Sequence, residues 1–352
     1  MLKIMVKKII YFVFSILLLT SCLSDKTYDS EVKMDWTDFE TISLQGKELV
    51  FDEEIMNPYC LIVRDSLLMT INQRTEKLCH VFNLNTRKKI NEQIEMGQGP
   101  YEMIHPYFIK SSDSLKFYEP MKSQVYTYSL MGFVDSSNVI PTTIVKLNEP
   151  AFFSELSMLG GNYIGSSYRP DAPCYMFEPD GKKVSVSFGT YPVGPEKYSD
   201  LEVVDAFRSI SVTNGNDRVI ICHMFTDLID FYDKAGKLIK RLHGPEHYYT
   251  SFSEYNDGVR IGSSPSADYY RDAYYSPICV CDKLFVLYNG KFINKPGYNL
   301  LATNILVFDC NGNPLYNYQL DKGVLHIAVD GEKRKIYGIS KDPEYHIVEY
   351  DF

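Results

Sequence analysis

Four polar pairs recur through the middle of the chain: Arg169 with Asp171, Asp205 with Arg208, His223 with Asp227, and Arg271 with Asp272. Such groups can grip a polar ligand, or they can neutralise one another as structural braces. The last pair follows Tyr269 and Tyr270 within a stretch from His247 to Pro277 that also holds Tyr248, Tyr249, Tyr255, Tyr274 and Tyr275. Tyrosine joins a rigid apolar face to a hydroxyl, which suits the recognition of sugars or peptides. The candidate ligand-binding set is therefore Arg169, Asp171, Asp205, Arg208, His223, Tyr269, Tyr270 and Arg271. No residue is assigned a catalytic role. The histidines (His80, His105, His223, His243, His247, His326 and His346) are scattered without a metal-binding spacing, and no G-x-S-x-G elbow occurs. No cofactor or metal is expected, with one exception. Asp65, Glu102, Asp171 and Asp205, if gathered at one place, could hold a single Ca²⁺-like ion for a hydrolase or lactonase.

Composition narrows the partners. A net charge of −9 argues against nucleic acid, which requires clustered Lys and Arg. Twenty-eight Tyr and 20 Phe against 1 Trp favour strands over helices. Of 8 Cys, Cys60, Cys79, Cys174, Cys222, Cys279, Cys281 and Cys310 lie within or beside strand-like stretches, where a free thiol packs as a small hydrophobe. Cys279 and Cys281 are expected on one face of one strand. No C-x-x-C occurs, so neither zinc nor a disulfide framework is expected.

The elements that must position the candidate residues repeat. An aromatic residue, a turn with Gly or Asn, and a further short strand return at Phe82–Lys88, Tyr128–Phe133, Phe177–Lys182, Tyr232–Lys237 and Phe308–Asn313, and the chain ends on Tyr350-Asp351-Phe352. Asp-Gly and Asn-Gly accept positive φ and close hairpins. Spacings of about 40 to 75 residues, with strands such as Leu61–Val63, Arg218–Cys222 and Lys283–Tyr288 upstream, match the blades of a β-propeller with insertions. The last unit lacks one strand. The unattached strands Thr41–Leu44 and Leu49–Phe51 near the start are expected to pair with it and close the ring, leaving no open edge. The fold class is all-β: a six-bladed β-propeller closed by an N-terminal strand and preceded by a lipoprotein signal peptide.

Lys3, Lys7 and Lys8 precede an apolar run from Ile9 to Leu19, too short to cross a bilayer, which takes about 20 residues. Leu19-Thr20-Ser21-Cys22 resembles the lipobox of bacterial lipoproteins, which implies cleavage before Cys22 and its acylation. Two or more acyl chains give stable anchoring. Leu23 stands where an inner-membrane retention signal would place Asp, which favours the outer membrane without deciding its face. The expected organisation is a signal peptide over 1–21, a lipidated Cys and tether over 22–38, and the propeller over 39–352.

Gly97-Gln98-Gly99-Pro100-Tyr101-Glu102 is not followed by Lys-Ser/Thr and so is no phosphate loop. Two glycines and a proline there fit a turn between blades, with Glu102 bonding backbone N–H groups. Together with the lipobox, the length and the repeated aromatic-Asp-x-x-Gly turns, this segment resembles the TolB-like six-bladed β-propeller lipoproteins of anaerobic Gram-negative bacteria. Tyr101 stands where a Gly is commoner in that family. The resemblance implies a fold and an envelope location and supplies no catalytic residue. Three functions stay open: a non-catalytic binding or scaffold module for an envelope protein or extracellular ligand, the metal-dependent hydrolase or lactonase, and a glycan-binding receptor component using Tyr269 and Tyr270.

Overall fold

The computed structural model describes residues 31–109, 114–148, 153–266 and 268–352. The expected export signal and the expected lipidation site Cys22 lie outside the described residues. Six antiparallel sheets follow one another, each with its strands in sequence order from the inside outwards. Blade one comprises β4 (Pro58–Arg64), β5 (Leu67–Asn72), β6 (Lys77–Asn83) and β7 (Lys88–Glu95). Blade two is β8 (Tyr107–Ile109), β9 (Leu115–Glu119), β10 (Gln124–Tyr128) and β11 (Thr143–Lys146). Blade three is β12 (Phe153–Leu159), β13 (Asn162–Ser167), β14 (Cys174–Phe177) and β15 (Lys183–Phe188). Blade four is β16 (Ser209–Thr213), β17 (Arg218–His223), β18 (Leu228–Asp233) and β19 (Leu238–His243), and blade five is β22 (Tyr274–Val280), β23 (Lys283–Tyr288), β24 (Ala302–Asp309) and β25 (Pro314–Val324). The chain's last three strands, β26 (His326–Asp330), β27 (Lys335–Lys341) and β28 (Tyr345–Asp351), begin blade six. Successive inner strands are neighbours, and β26 meets β4, so the sheets form a closed six-bladed propeller.

Both faces of each blade are covered, which explains why the strands read as apolar on both sides. Successive residues of β4 serve different interfaces: Cys60 and Ile62 pack with Phe108 and Phe117 of blade two, while Leu61 packs with Ile339 and Ile347 of blade six. Each of the six blade interfaces has its own apolar cluster of this kind. Cys60, Cys79, Cys174 and Cys222 are buried in them, as small hydrophobes. Cys281 departs from expectation: β22 ends at Val280, so Cys281 sits in the turn at φ 51° rather than on the strand beside Cys279.

The recurring aromatic-turn units all connect the third strand of a blade to the fourth. They also touch the preceding blade. Gly181, at φ +88°, lies so close to blade two that a Cβ would sit 2.1 Å from the Lys146 carbonyl oxygen, and its own carbonyl accepts from Asn148 N–H at 2.9 Å. Gly181→Ala would combine left-handed strain with a backbone clash. It is expected to destabilise the protein by about 3 kcal/mol, read as a lower urea midpoint with unchanged m. The second unit differs. Ser129 caps a short helix, α1 (Leu130–Asp135), in place of a tight turn.

The N-terminal segment is a three-blade strap. β1 (Glu31–Lys33) adds a parallel outer strand to blade four through β19, and β2 (Glu40–Leu44) adds one to blade five through β25. β3 (Lys47–Leu49) pairs antiparallel with β28 and completes blade six. Closure by an N-terminal strand thus holds, but Thr41–Leu44 belongs to blade five, and the tether expected to run to Asp38 is docked from Glu31 onwards. Buried side chains hold the strap: Met34 and Phe39 enter the core between blades four and five, Trp36 meets Tyr288 edge-on at 5.5 Å, and Phe39 meets Phe308 likewise at 5.5 Å.

Between blades one and two, the Gly97–Glu102 turn is tied internally. Glu102 Oε2 accepts the Gly99 N–H at 2.7 Å, and Lys122 Nζ donates to the Gly99 and Glu102 carbonyls at 2.6 and 2.7 Å.

Candidate functional site

The eight candidate residues lie at one end of blades three, four and five: Asp205 on a helix, His223 as the last residue of β17, and the other six in the loops leading from second to third strands and from one blade to the next. The second helix, α2 (Asp200–Ala206), precedes blade four. It starts at a capping box in which Ser199 and Glu202 bond each other's backbone N–H groups. Within the Tyr-rich stretch, β20 (Phe252–Asn256) and β21 (Ile261–Pro265) form a separate two-stranded hairpin that packs on this helix. Two helix carboxylates hold it: Glu202 Oε1 accepts Glu254 N–H at 3.1 Å, and Asp205 Oδ2 accepts the Ser263 hydroxyl at 2.5 Å.

Arg208 pairs with Asp205 Oδ1 at 2.5 Å. Its guanidinium lies 5.2 Å from the Tyr168 ring and 5.8 Å from that of Phe225. Phe225 in turn carries Tyr270 at 5.3 Å, and Phe252 lies 6.4 Å from Tyr270. Tyr270 is therefore a packing residue at the base of the hairpin, and Tyr269 beside it is 58% exposed. Arg271 is clamped between Tyr248 (4.0 Å) and Phe292 (4.7 Å) and donates to the Gly290 carbonyl and to Glu246. Arg169 and Asp171 form a solvent-exposed pair at 3.3 Å in the β13–β14 loop. Burial raises the Asp171 pKa, but the Tyr175 hydroxyl and then Arg169 outweigh it and hold the carboxyl below its usual range.

His223, expected among the ligand-binding residues, is instead fully buried within blade four. Its Nδ1 faces the Phe207 carbonyl at 3.2 Å and its Nε2 lies 3.5 Å from Asp230 Oδ2. Asp230 is gripped by Arg241 through Nε at 2.6 Å and Nη2 at 2.8 Å. Neither Asp230 nor Arg241 stood out in the sequence, because each sits in an ordinary alternating strand. Asp227 and Asp272 are likewise consumed inside the fold. Asp227 accepts from the Tyr274 hydroxyl at 2.8 Å and Glu246 N–H at 2.9 Å, while Asp272 takes the Tyr275 and Tyr298 hydroxyls. Burial pushes both carboxyls above their usual range.

The structure does not bring together the carboxylates a metal site would need. Asp65 sits in the β4–β5 turn at the opposite end of the propeller, Glu102 is in the blade-one-to-two turn, and Asp171 and Asp205 serve separate ion pairs. Among the described residues, no group of three or more His, Cys, Asp or Glu could hold an ion. A cavity of about 610 Å³ does open at the far end of the ring, and none of the eight candidates lines it.

Beyond the clamped residues, the hairpin projects outwards. Val259 is 89% and Ile261 69% exposed, with Tyr255, Tyr269 and Leu201 of α2 also open to solvent. The signal for it was legible as Asn256-Asp257-Gly258, a turn sequence between short alternating runs. Two branched apolar side chains thus stand out among the exposed polar residues Glu254, Asn256, Asp257 and Arg260, a projecting surface suited to contact with another macromolecule rather than enclosure of a small molecule.

A family model described as a TolB-like six-blade propeller matches residues 38–332. No curated protein matches the chain. Among solved structures, a DUF4221 family member from Bacteroides vulgatus ATCC 8482 superposes with a TM-score of 0.56 at 10% identity, over 88% of this chain and 97% of that one. An exported protein from Bacteroides fragilis NCTC 9343 gives 0.48 at 13% identity, over 88% and 99%. A streptogramin B lyase gives 0.47 at 12%, over 88% and 97%.

Proposed function

Because the chain belongs to the TolB-like six-bladed propeller family, we propose that it is a lipid-anchored, non-catalytic binding module of the cell envelope that docks another envelope protein through the hairpin of blades four and five. The address rests on the sequence: the basic start, the short apolar run and the Leu19–Cys22 motif, with Leu23 favouring the outer membrane. The observation that carries the docking role is the exposed apolar tip at Val259 and Ile261 on a hairpin braced from below by α2 and the Phe225–Tyr270 stack. Rigid support beneath an exposed apolar tip lowers the ordering cost of association. The surrounding arginines and carboxylates are already paired within the fold, so they act as a frame, and they leave no acid and base poised for chemistry. A glycan platform built on Tyr269 and Tyr270 together is disfavoured, because the Tyr270 ring is packed on Phe225.

The test is a paired substitution. Val259→Asp with Ile261→Asp is expected to leave the melting temperature within experimental error, since both side chains are exposed. It should reduce recovery of the envelope partner by about tenfold or more, the loss expected when a central apolar contact is removed. A double variant that keeps its partner at full yield would refute the docking role.

A further inference from the structure

The far end of the propeller carries a site unrelated to the hairpin. The cavity of about 610 Å³ there is formed where first strands turn into second strands, and all six blades contribute to it. Its walls mix apolar side chains, Ile109, Met158, Val212 and Val280 among them, with polar ones such as Thr213, Asn214 and Asn216. No Asp or Glu lines it among the described residues, although the chain as a whole carries a net charge of −9. Two features stand out against those walls. Lys116 on β9 has as its single hydrogen bond Nζ to Thr127 Oγ1 at 3.0 Å, and no carboxylate pairs with it among the described residues. Ser157 on β12 is 3% exposed, and its hydroxyl has no hydrogen-bond partner among the described residues. Buried hydroxyls are nearly always satisfied, so an orphan beside a cavity marks a place for a bound group. Burial also lowers the Lys116 pKa, as expected where no neighbouring anion compensates desolvation. On the side of blades three and four the rim is formed in part by Gly160 and Gly215, which turn at positive φ and where an added Cβ would meet nothing within 4 Å.

The geometry points to this funnel as a binding site for a small monocarboxylate with an apolar body, one oxygen taking the Lys116 ammonium and the other the Ser157 hydroxyl. The Lys116 ammonium, with no carboxylate paired to it among the described residues, matches the ligand's negative charge, and a volume in the range of small-molecule sites takes the hydrocarbon part against Ile109, Met158, Val212 and Val280. Arg64, whose Nη2 donates to the Ser114 carbonyl at 3.1 Å, lines the same rim and adds to the positive field. This inference stands apart from the docking role, and its test uses the purified mature chain without any partner.

Calorimetric titration with sodium octanoate, and with 1-octanol as the uncharged counterpart, decides it. Wild-type protein is expected to bind octanoate at least about tenfold more tightly than octanol. Lys116→Met should abolish that preference, Lys116→Arg should retain it, and Ser157→Ala should weaken octanoate several-fold with little effect on octanol. Urea melts of each variant show whether the fold is intact, and rescue by Lys116→Arg guards against a merely structural effect. Octanoate that gives no heat up to about 10 mM, or that binds Lys116→Met as well as wild type, overturns the proposal.

Discussion

Asp230→Ala is expected to cost about 3–5 kcal/mol of stability, the penalty for breaking a buried ion pair from one side. Arg241 and Asp230 are each 1% exposed and meet through two parallel hydrogen bonds, with the Tyr232 hydroxyl adding a third to the carboxylate at 3.2 Å. Removing the carboxylate takes two hydrogen bonds from a guanidinium buried in blade four, where water cannot replace them. Removing both partners together, as in Asp230→Leu with Arg241→Met, should recover about 2 kcal/mol or more, because two apolar side chains carry no desolvation penalty. Denaturant melts of the three variants measure the coupling, and purely additive losses would show that the pair is not acting as a unit. Acid titration gives a second reading. Burial would raise the Asp230 pKa, but Arg241 and then His223 overcome it and hold the carboxyl far below the usual range. A depressed folded-state pKa means the contribution is fully present above the unfolded value of about 4 and fades as the pH falls below it. Wild type should therefore lose stability more steeply below about pH 4 than the double variant.

The second large effect concerns the strap. A chain beginning at residue 51 lacks β3, exposes the open edge of β28, and loses the buried side chains of Met34, Phe39, Leu44 and Leu49. Each of these contributes about 1.5–3 kcal/mol of burial, a sum comparable with the whole stability of an ordinary domain. Such a chain should show no cooperative unfolding transition and should aggregate through the free edge. A chain beginning at residue 39 keeps β2 and β3, so it should stay folded with a lower melting temperature. Circular dichroism melts of the two truncations separate these outcomes. Equal melting of the residue-51 chain and a chain beginning at residue 23 would mean that the ring does not depend on closure.

The sequence disclosed the ring more readily than the site. Turns such as Asp180-Gly181 and Asn311-Gly312 announce themselves because positive φ demands a special residue, and counting them gives the blades. The missing last strand made closure from the N-terminus predictable. The parallel strands β1 and β2 left no such mark. Glu31–Lys33 is short and polar, and its pairing with β19 depends on Met34 and Trp36 finding a core some two hundred residues away. The charged pairs were found, but their partners were not. Arg271 reads as a free cation until Tyr248 and Phe292 are seen to clamp it, and His223 reads as a ligand until Asp230 and the Phe207 carbonyl close on it. The funnel was invisible for a different reason. Each blade contributes a residue or a few to it, and no local pattern connects Lys116 with Ser157.

The central proposal is that the hairpin tip is where this protein docks a partner in the cell envelope. A photo-crosslinking amino acid placed at Val259, and separately at Asn85 in the blade-one turn at the other end of the propeller, tests it in native membranes, with Cys22→Ala as the control for the anchor. The account predicts one dominant crosslinked envelope protein from position 259, little or none from position 85, and loss of the product when Cys22 is replaced. Equal crosslinking from both positions, or a product from position 85 alone, would contradict it.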